Sequence, residues 1–463
     1  MPENKRTYPL TPAQKMHFYT QMYCPNNPEV LNISTCVFVK GDMDFKVLQD
    51  SIRKACDRYE VTRVRFCEDE NNEVHQYLSE EPMEEIRQLN FTHLSKEEAN
   101  AELKLLSSVP FKQLGSQMFR LRLVSMPGGY SGVFFLAHHM LWDSSSIITF
   151  LSDIIEIYCN AIYDTPYPKD MQSYIQALEK DLAYTGSKAE ERDRQFWEET
   201  VLSDEPFFTD ILGPARLDNA RKETGNPDKR SARVTSPSIY ADICSFSLEE
   251  EPSNRLLSYC SEKNVPMVCL LISGIRTYLS KFNRYTEDVS IKTTVSRRGT
   301  VLEKKSGGTR IHFFPFRMKF SNSMKYIDSI RKIQELQNKV FRHANYDSIR
   351  LNNEIAKRFG NAPGESYSSV SLTYQPMSIR ETNDMLKDID YDARWISNGV
   401  AAQPYYLTVM HNPETKGLDF IWEYQKGAVT PEQLEYIYYY LCKILFEVIK
   451  DDERTINEII EEV

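Results

Sequence analysis

Residues 133–155 read VFFLAHHMLWDSSSIITFLSDII. Val133 to Ala137 form a short apolar run that is too brief for a helix and reads as a strand. Two histidines end it, Asp143 follows His139 at i+4, and three serines come next. From Ile147 to Tyr163 the apolar residues return in a helical pattern, so the stretch predicts a strand, a tight loop and a helix, with imidazoles at the junction. It is the most hydrophobic stretch of the chain, but His138, His139 and Asp143 interrupt it well before it could span a bilayer. Such a junction has no structural need for imidazole, the side chain whose pKa suits proton transfer near neutral pH. The competing reading is a pair of core histidines satisfied by backbone.

Strands and helices alternate on either side. MFRLRLVSMPGGY, residues 118–130, gives a strand and a Pro-Gly-Gly turn leading into the apolar run. Upstream, LNISTCVFVKG (31–41) is a β-branched strand, and DFKVLQDSIRKACDRYE (44–60) repeats apolar residues at Phe45, Leu48, Ile52 and Cys56 behind Asp44 as N-cap. VTRVRFCEDENNEVHQYL (61–78) predicts a hairpin carrying Val64, Phe66, Val74 and Tyr77. Residues 164–240 turn polar and rich in Gly and Pro, and we read them as a mobile crossover. The second half restarts with two helices in 253–282, followed by strands DVSIKTTV, IHFFPFRMKF, SSVSLTYQP, PYYLTVMHN and LDFIWEYQ, and a last helix opening on a Thr430/Gln433 capping box. The reading is a mixed α/β chain with an N-terminal lobe over 1–175, a linker over 176–235 and a C-terminal lobe over 236–463.

The 463 residues suffice for two large lobes, and 41% hydrophobic with 26% charged residues is a globular composition. Lys and Arg total 56 against 66 Asp and Glu, a net charge of −10 without a compact basic stretch, which argues against nucleic acid or an anionic membrane as partner. Nine scattered cysteines without ligand spacing read as reduced thiols of a cytoplasmic protein. The N-terminal residues carry no signal-peptide run.

AHHMLWDSSS (137–146) resembles the HHxxxDG signature of nonribosomal peptide synthetase condensation domains, which share the chloramphenicol acetyltransferase type of fold. The resemblance continues in order along the chain. YPLTPAQKMHFY (8–19) resembles the opening motif around Ala-Gln, and DRYEVTRVRF (57–66) resembles RHExLRxxF, keeping Arg58, Glu60, Arg63 and Phe66. RQFWEE (194–199), TTVSRRG (293–299) and GGTRIHFFPFR (307–317) resemble its lobe-junction, TPxxxR and GxFVNxxxxR segments. Three positions depart: Ser144 replaces Gly, Tyr59 replaces His, and His312 replaces Asn. If the Gly position needs a positive φ, serine there costs roughly 1 kcal/mol or more.

The resemblance implies two acetyltransferase-like lobes in a V, with the active site in a tunnel between them. It implies His139 as the catalytic histidine, and His138 and Asp143 as residues that hold the loop. Asp143 is then paired with Arg298, with Arg297 as a one-residue-shift alternative. The implied reaction is attack of an amine on a thioester, in which His139 orients the amine and accepts or shuttles its proton. Backbone N–H groups from Ser144 onward face the oxyanion. Substrates ride on phosphopantetheine, with no metal or bound cofactor needed. The motif's position near Met1 favours a starter-type domain. Such a domain takes an acyl group from an acyl-CoA or acyl-carrier protein donor, passes it to a downstream aminoacyl carrier, starts a lipopeptide and works as a monomer. The alternatives are an elongation domain with a peptidyl donor, an epimerisation domain, and a condensation-like module that has lost chemistry and recruits partners. His17 is read as a surface or core residue, or as lining the donor side of a tunnel. Trp142 packs under the loop or walls a pocket, and Ser144, Ser145 and Ser146 cap a helix. Residues 296–310 could contact a phosphate or be a solvated loop, and YIYYYLCKILFEVI (436–449) reads as core.

Overall fold

The computed structural model describes residues 5–234, 236–376, 389–412 and 414–463. Residues 1–4 of the N-terminal reading and position 235, where the predicted linker ends, lie outside these. The apolar run is a strand, Tyr130–His138, at the centre of a five-stranded sheet. Asn32–Lys40 pairs with it antiparallel along its whole length, from Asn32 opposite His138 to Lys40 opposite Tyr130. Phe119–Met126 flanks its other side through the Pro-Gly-Gly turn, and Arg87–Asn90 adds a parallel edge. The run lacks polar alternation because both faces are covered. Val133, Phe135 and Ala137 meet the helices Phe45–Arg58 and Ser144–Tyr163, while Phe134 and Leu136 meet Ala99 and Leu103 of the helix Lys96–Ser107. Each of the Val, Leu and Phe side chains contributes about 1.5–3 kcal/mol on burial.

The remaining edge of this sheet comes from far along the chain. Tyr391–Ile396 pairs antiparallel with Asn32–Lys40, placing Tyr391 opposite Val39 and Ile396 opposite Ser34. Val64–Glu68 and Val74–Leu78 form the predicted hairpin, extended by Tyr8–Pro9. Asp44 caps its helix as expected, accepting from the N–H groups of Lys46 and Val47.

The second sheet has six strands in the order Ile311–Lys319, Asp288–Ser296, Val370–Gln375, Tyr405–His411, Leu418–Gln425 and Ala241–Leu248. Its core packs Leu271, Ile275, Leu441 and Leu445 against Phe420 and Trp422. The aromatic helix Pro431–Lys450 buries Leu434, Ile437, Leu441, Ile444 and Val448, behind the expected Thr430/Gln433 capping box.

Residues 164–240 carry more regular structure than their composition suggests. They contain the helices Tyr174–Leu182, Lys188–Val201 and Ala215–Thr224, with Trp197 fully buried. The charges that made this segment look like a loop include an exposed ladder in which Arg194 pairs with Glu191 and Glu198. The chain divides into two compact mixed α/β units built from interleaved segments: Met1–Ser187, Ser296–Ile311 and Met377–Val400 in one, and Lys188–Val295, His312–Pro376 and Ala401–Val463 in the other.

Candidate active site

The loop after the apolar strand is closed by its own backbone. The N–H groups of Leu141 and Trp142 both donate to the His138 carbonyl, at 3.0 and 3.1 Å, and the His139 N–H donates to Leu31 at 2.7 Å. Asp143, not a serine, is the N-cap of the helix that follows. That helix therefore starts at Ser144 rather than Ile147, and the three serines occupy its first turn. Ser144 is absent from the positive-φ residues among those described, so the expected strain does not arise. The Ser146 N–H donates to Asp143 Oδ1 at 2.9 Å, which removes one backbone donor from the expected oxyanion set.

Asp143 is fully buried and saturated with donors. Arg298 donates to both of its oxygens, at 2.7 and 2.8 Å, and the Arg310 N–H donates to Oδ2 at 2.9 Å. Arg298 also donates to the Gly308 carbonyl at 2.8 Å. Arg297, the shifted alternative, instead lies 3.4 Å from Asp181, which Arg310 holds at 2.6 Å. The segment carrying these arginines packs around the loop through two glycines in left-handed conformation. A Cβ on Gly307 would stand 2.7 Å from Val61 Cγ1, and one on Gly308 would stand 2.7 Å from the Tyr174 ring. Residues 306–310 are therefore buried, while the short helix Val301–Lys305 before them keeps exposed positions such as Val301.

The two adjacent histidines have different environments. His138 is buried edge-on to Phe111, and its Nδ1 accepts from the Met140 N–H at 3.3 Å, which places the ring proton on Nε2. Burial, reinforced by His139, pushes its pKa down to about 3, so the ring is neutral at neutral pH. His139 is half-buried. Burial lowers its pKa too, against the opposing pull of Asp143 and of the backbone at His139 and Trp142. Its Nδ1 is buried with no hydrogen-bond partner among the described residues. A neutral, half-buried imidazole can orient an amine and accept its proton.

The remaining expected residues fall out as follows. Trp142 is buried against Phe119, Phe135 and Phe150, with ring centroids 5.3–5.6 Å away, and so packs under the loop. Arg58 ties its helix to the Ser144–Tyr163 helix through Asp153, with two bonds of 3.1 Å. Tyr59 is buried against Phe150. His312 belongs to the other unit, buried there with Nδ1 3.5 Å from Ser348 Oγ. His17 lies against the site itself: its ring stacks on His139 at 4.4 Å between centroids and 16° between planes. Sequence reasoning gave no role to Arg310 and Asp181, although Arg310 sits inside a quoted motif beside the paired glycines.

The family model described as Condensation domain matches residues 4–460. The chain belongs to the condensation domain family. It is 23% identical over 98% of its length to one of the subunits of plipastatin synthase from Bacillus subtilis (strain 168), and 22% identical over 98% to surfactin synthase subunit 1 of the same organism. It spans only 17% and 12% of those two proteins. Among solved structures, the first condensation domain of the calcium-dependent antibiotic synthetase, in complex with a substrate analogue, superposes with a TM-score of 0.79 at 18% identity. That match covers 98% of this chain and 99% of the other. A starter condensation domain of rhizomide synthetase, in complex with C8-CoA, superposes with a TM-score of 0.78 at 19% identity, covering 97% and 96%. These likenesses give the fold, that of a condensation domain, and condensation domains as a class are amide-forming acyltransferases.

Proposed function

We propose that this condensation domain transfers an acyl group from a thioester donor, a fatty acyl-CoA or acyl-carrier protein, to the amine of an aminoacyl group on a downstream carrier protein. The observation that carries the reading is His139: a half-buried imidazole kept neutral by burial, on a loop pinned by the Asp143–Arg298 pair. The amine nitrogen attacks the thioester carbon and its proton passes to His139 Nε2. The tetrahedral intermediate collapses with loss of the C–S bond, and the departing thiolate takes the proton back. An α-amino group with a pKa of about 8 is partly neutral already, so no strong base is needed. Holding both phosphopantetheine-borne reactants together is the larger contribution, worth about 7–11 kcal/mol. His138, Asp143 and Arg298 serve this by fixing the loop.

The starter role draws support from the likeness to the domain solved with C8-CoA. The free thiols of all nine cysteines support a cytoplasmic setting, and we take the working form to be a monomer. Unstrained Ser144 favours chemistry over a recruiting module that has lost it. Intact-mass spectrometry of an aminoacyl carrier protein, incubated with this chain and a panel of acyl-CoA and acyl-carrier donors, tests the reading. Acyl mass on the carrier, absent with His139→Ala, is the expected result. Transfer only from a peptidyl donor would make the chain an elongation domain. Carrier binding without transfer from any donor would make it a recruiting module.

A further inference from the structure

His17 sits on the helix Pro12–Tyr23, and the start of that helix is locked in place. Thr11 and Gln14 form a capping box, and the Gln14 side chain joins a buried network with Gln76 and Tyr174 at 2.6–3.2 Å. The His17 ring is therefore delivered to His139 by a fixed element, and it is 5% exposed. Two rings stacked 4.4 Å apart at 16° present π faces to one another, not N–H groups and lone pairs, so no proton passes directly between them. A neutral aromatic face attracts a cation placed over it. Two stacked imidazolium rings would repel, so the pair accommodates one proton rather than two.

Among the described residues, the groups that bear on His139 include the backbone at His139 and Trp142, which favours its protonated form. His138 adjoins it from the strand, and its Nδ1 already accepts the Met140 N–H. The chain at Leu31 contributes only a carbonyl. Asp143 has both oxygens taken by Arg298 and by the N–H groups of Ser146 and Arg310, yet its charge still favours the protonated form of His139. The face of His17 covers the ring itself, where it meets a cation formed on His139.

We propose that His17 is a positioning residue for His139: its ring holds the plane of the reacting imidazole and stabilises the imidazolium formed when the amine proton is taken up. The proposal rests on His139 acting as proton acceptor in the acyl transfer. It predicts that an aromatic side chain at position 17 suffices and that an aliphatic one does not.

The test compares the unaltered protein with His17→Phe, His17→Leu and His139→Ala in the acyl-transfer assay, after equal melting temperatures have shown that the variants fold. His17→Leu is expected to lower kcat roughly tenfold, the size of a desolvated cation–π contact, with both KM values unchanged. The apparent pKa of the acid limb should fall in that variant, because the imidazolium has lost its partner. His17→Phe should restore kcat to within about twofold and bring the acid limb back. NMR titration of the His139 ring in the same variants reads the shift without turnover. An unchanged kcat and titration in His17→Leu overturns the proposal, as does a His17→Phe variant as slow as His17→Leu. Full activity in His139→Ala would instead overturn the reading of the reaction, whatever the His17 variants do.

Discussion

Arg298 donates from two nitrogens to Asp143, at 2.7 and 2.8 Å, and the carboxylate they grip has no solvent exposure. Removing one partner of a buried pair strands the other. Arg298→Ala is therefore expected to cost about 3–5 kcal/mol, read as a fall in the urea midpoint together with loss of transfer. Arg297→Ala should cost far less, because Arg310 still holds Asp181 at 2.6 Å. Equal effects of the two variants would show that the grip on Asp143 is not what matters.

The paired glycines give a second expectation. Gly307→Ala must place a methyl 2.7 Å from Val61 Cγ1 at φ +72°, which combines a clash with backbone strain of about 1–3 kcal/mol. Its neighbours should shift the loop bearing Arg298 and lower transfer, measured as kcat alongside denaturant stability. Ser144→Gly is the control: it meets no positive-φ demand and should change stability by no more than about 1 kcal/mol.

His138 predicts a loss of stability in acid. Its folded pKa of about 3 lies below the ordinary value of 6.5, so the unfolded chain binds the extra proton first. Stability from this residue is complete above pH 6.5 and is lost as pH falls toward 3, by up to about 4 kcal/mol. His138→Asn, whose amide oxygen can take the place of Nδ1, should flatten that part of the stability profile in denaturant titrations across pH 3–7.

Glu423 gives the opposite sign. Burial raises its pKa to about 7 from 4.5, so the folded state retains a proton the unfolded chain releases, and stability falls as pH rises through that window. Glu423→Gln should be more stable than the unaltered protein at pH 8, by on the order of 1–3 kcal/mol, and no more stable at pH 4.5. A constant difference between the two pH values would show that the carboxyl does not titrate there.

Local rules read most of this fold correctly, and long-range pairing marks where they stop. Asp44, Thr430 and the DENN hairpin are decided within a few residues, and each is legible in the sequence. The start of the Ser144–Tyr163 helix is harder to place, because Asp143 reads as a site residue although the same carboxylate also caps the helix. Tyr391–Ile396 escapes notice because its six residues pair with a strand near the other end of the chain, which nothing in their local pattern signals. Paired histidines and a distant arginine point to the reacting loop. The His17 stack does not show, because it depends on where two remote elements meet.

That late strand bears on how the molecule is made. Asn32–Lys40 emerges early in synthesis and stays an open edge until residue 396 has been added, and an unpaired strand edge is a template for intermolecular pairing. The first unit thus stays incomplete until residue 400 although most of it is made before residue 188, and such late pairing favours slow, non-local closure. A gene fragment ending at residue 235 would encode neither Arg298 nor the strand Tyr391–Ile396. Mixing separately produced halves should therefore yield aggregation rather than complementation.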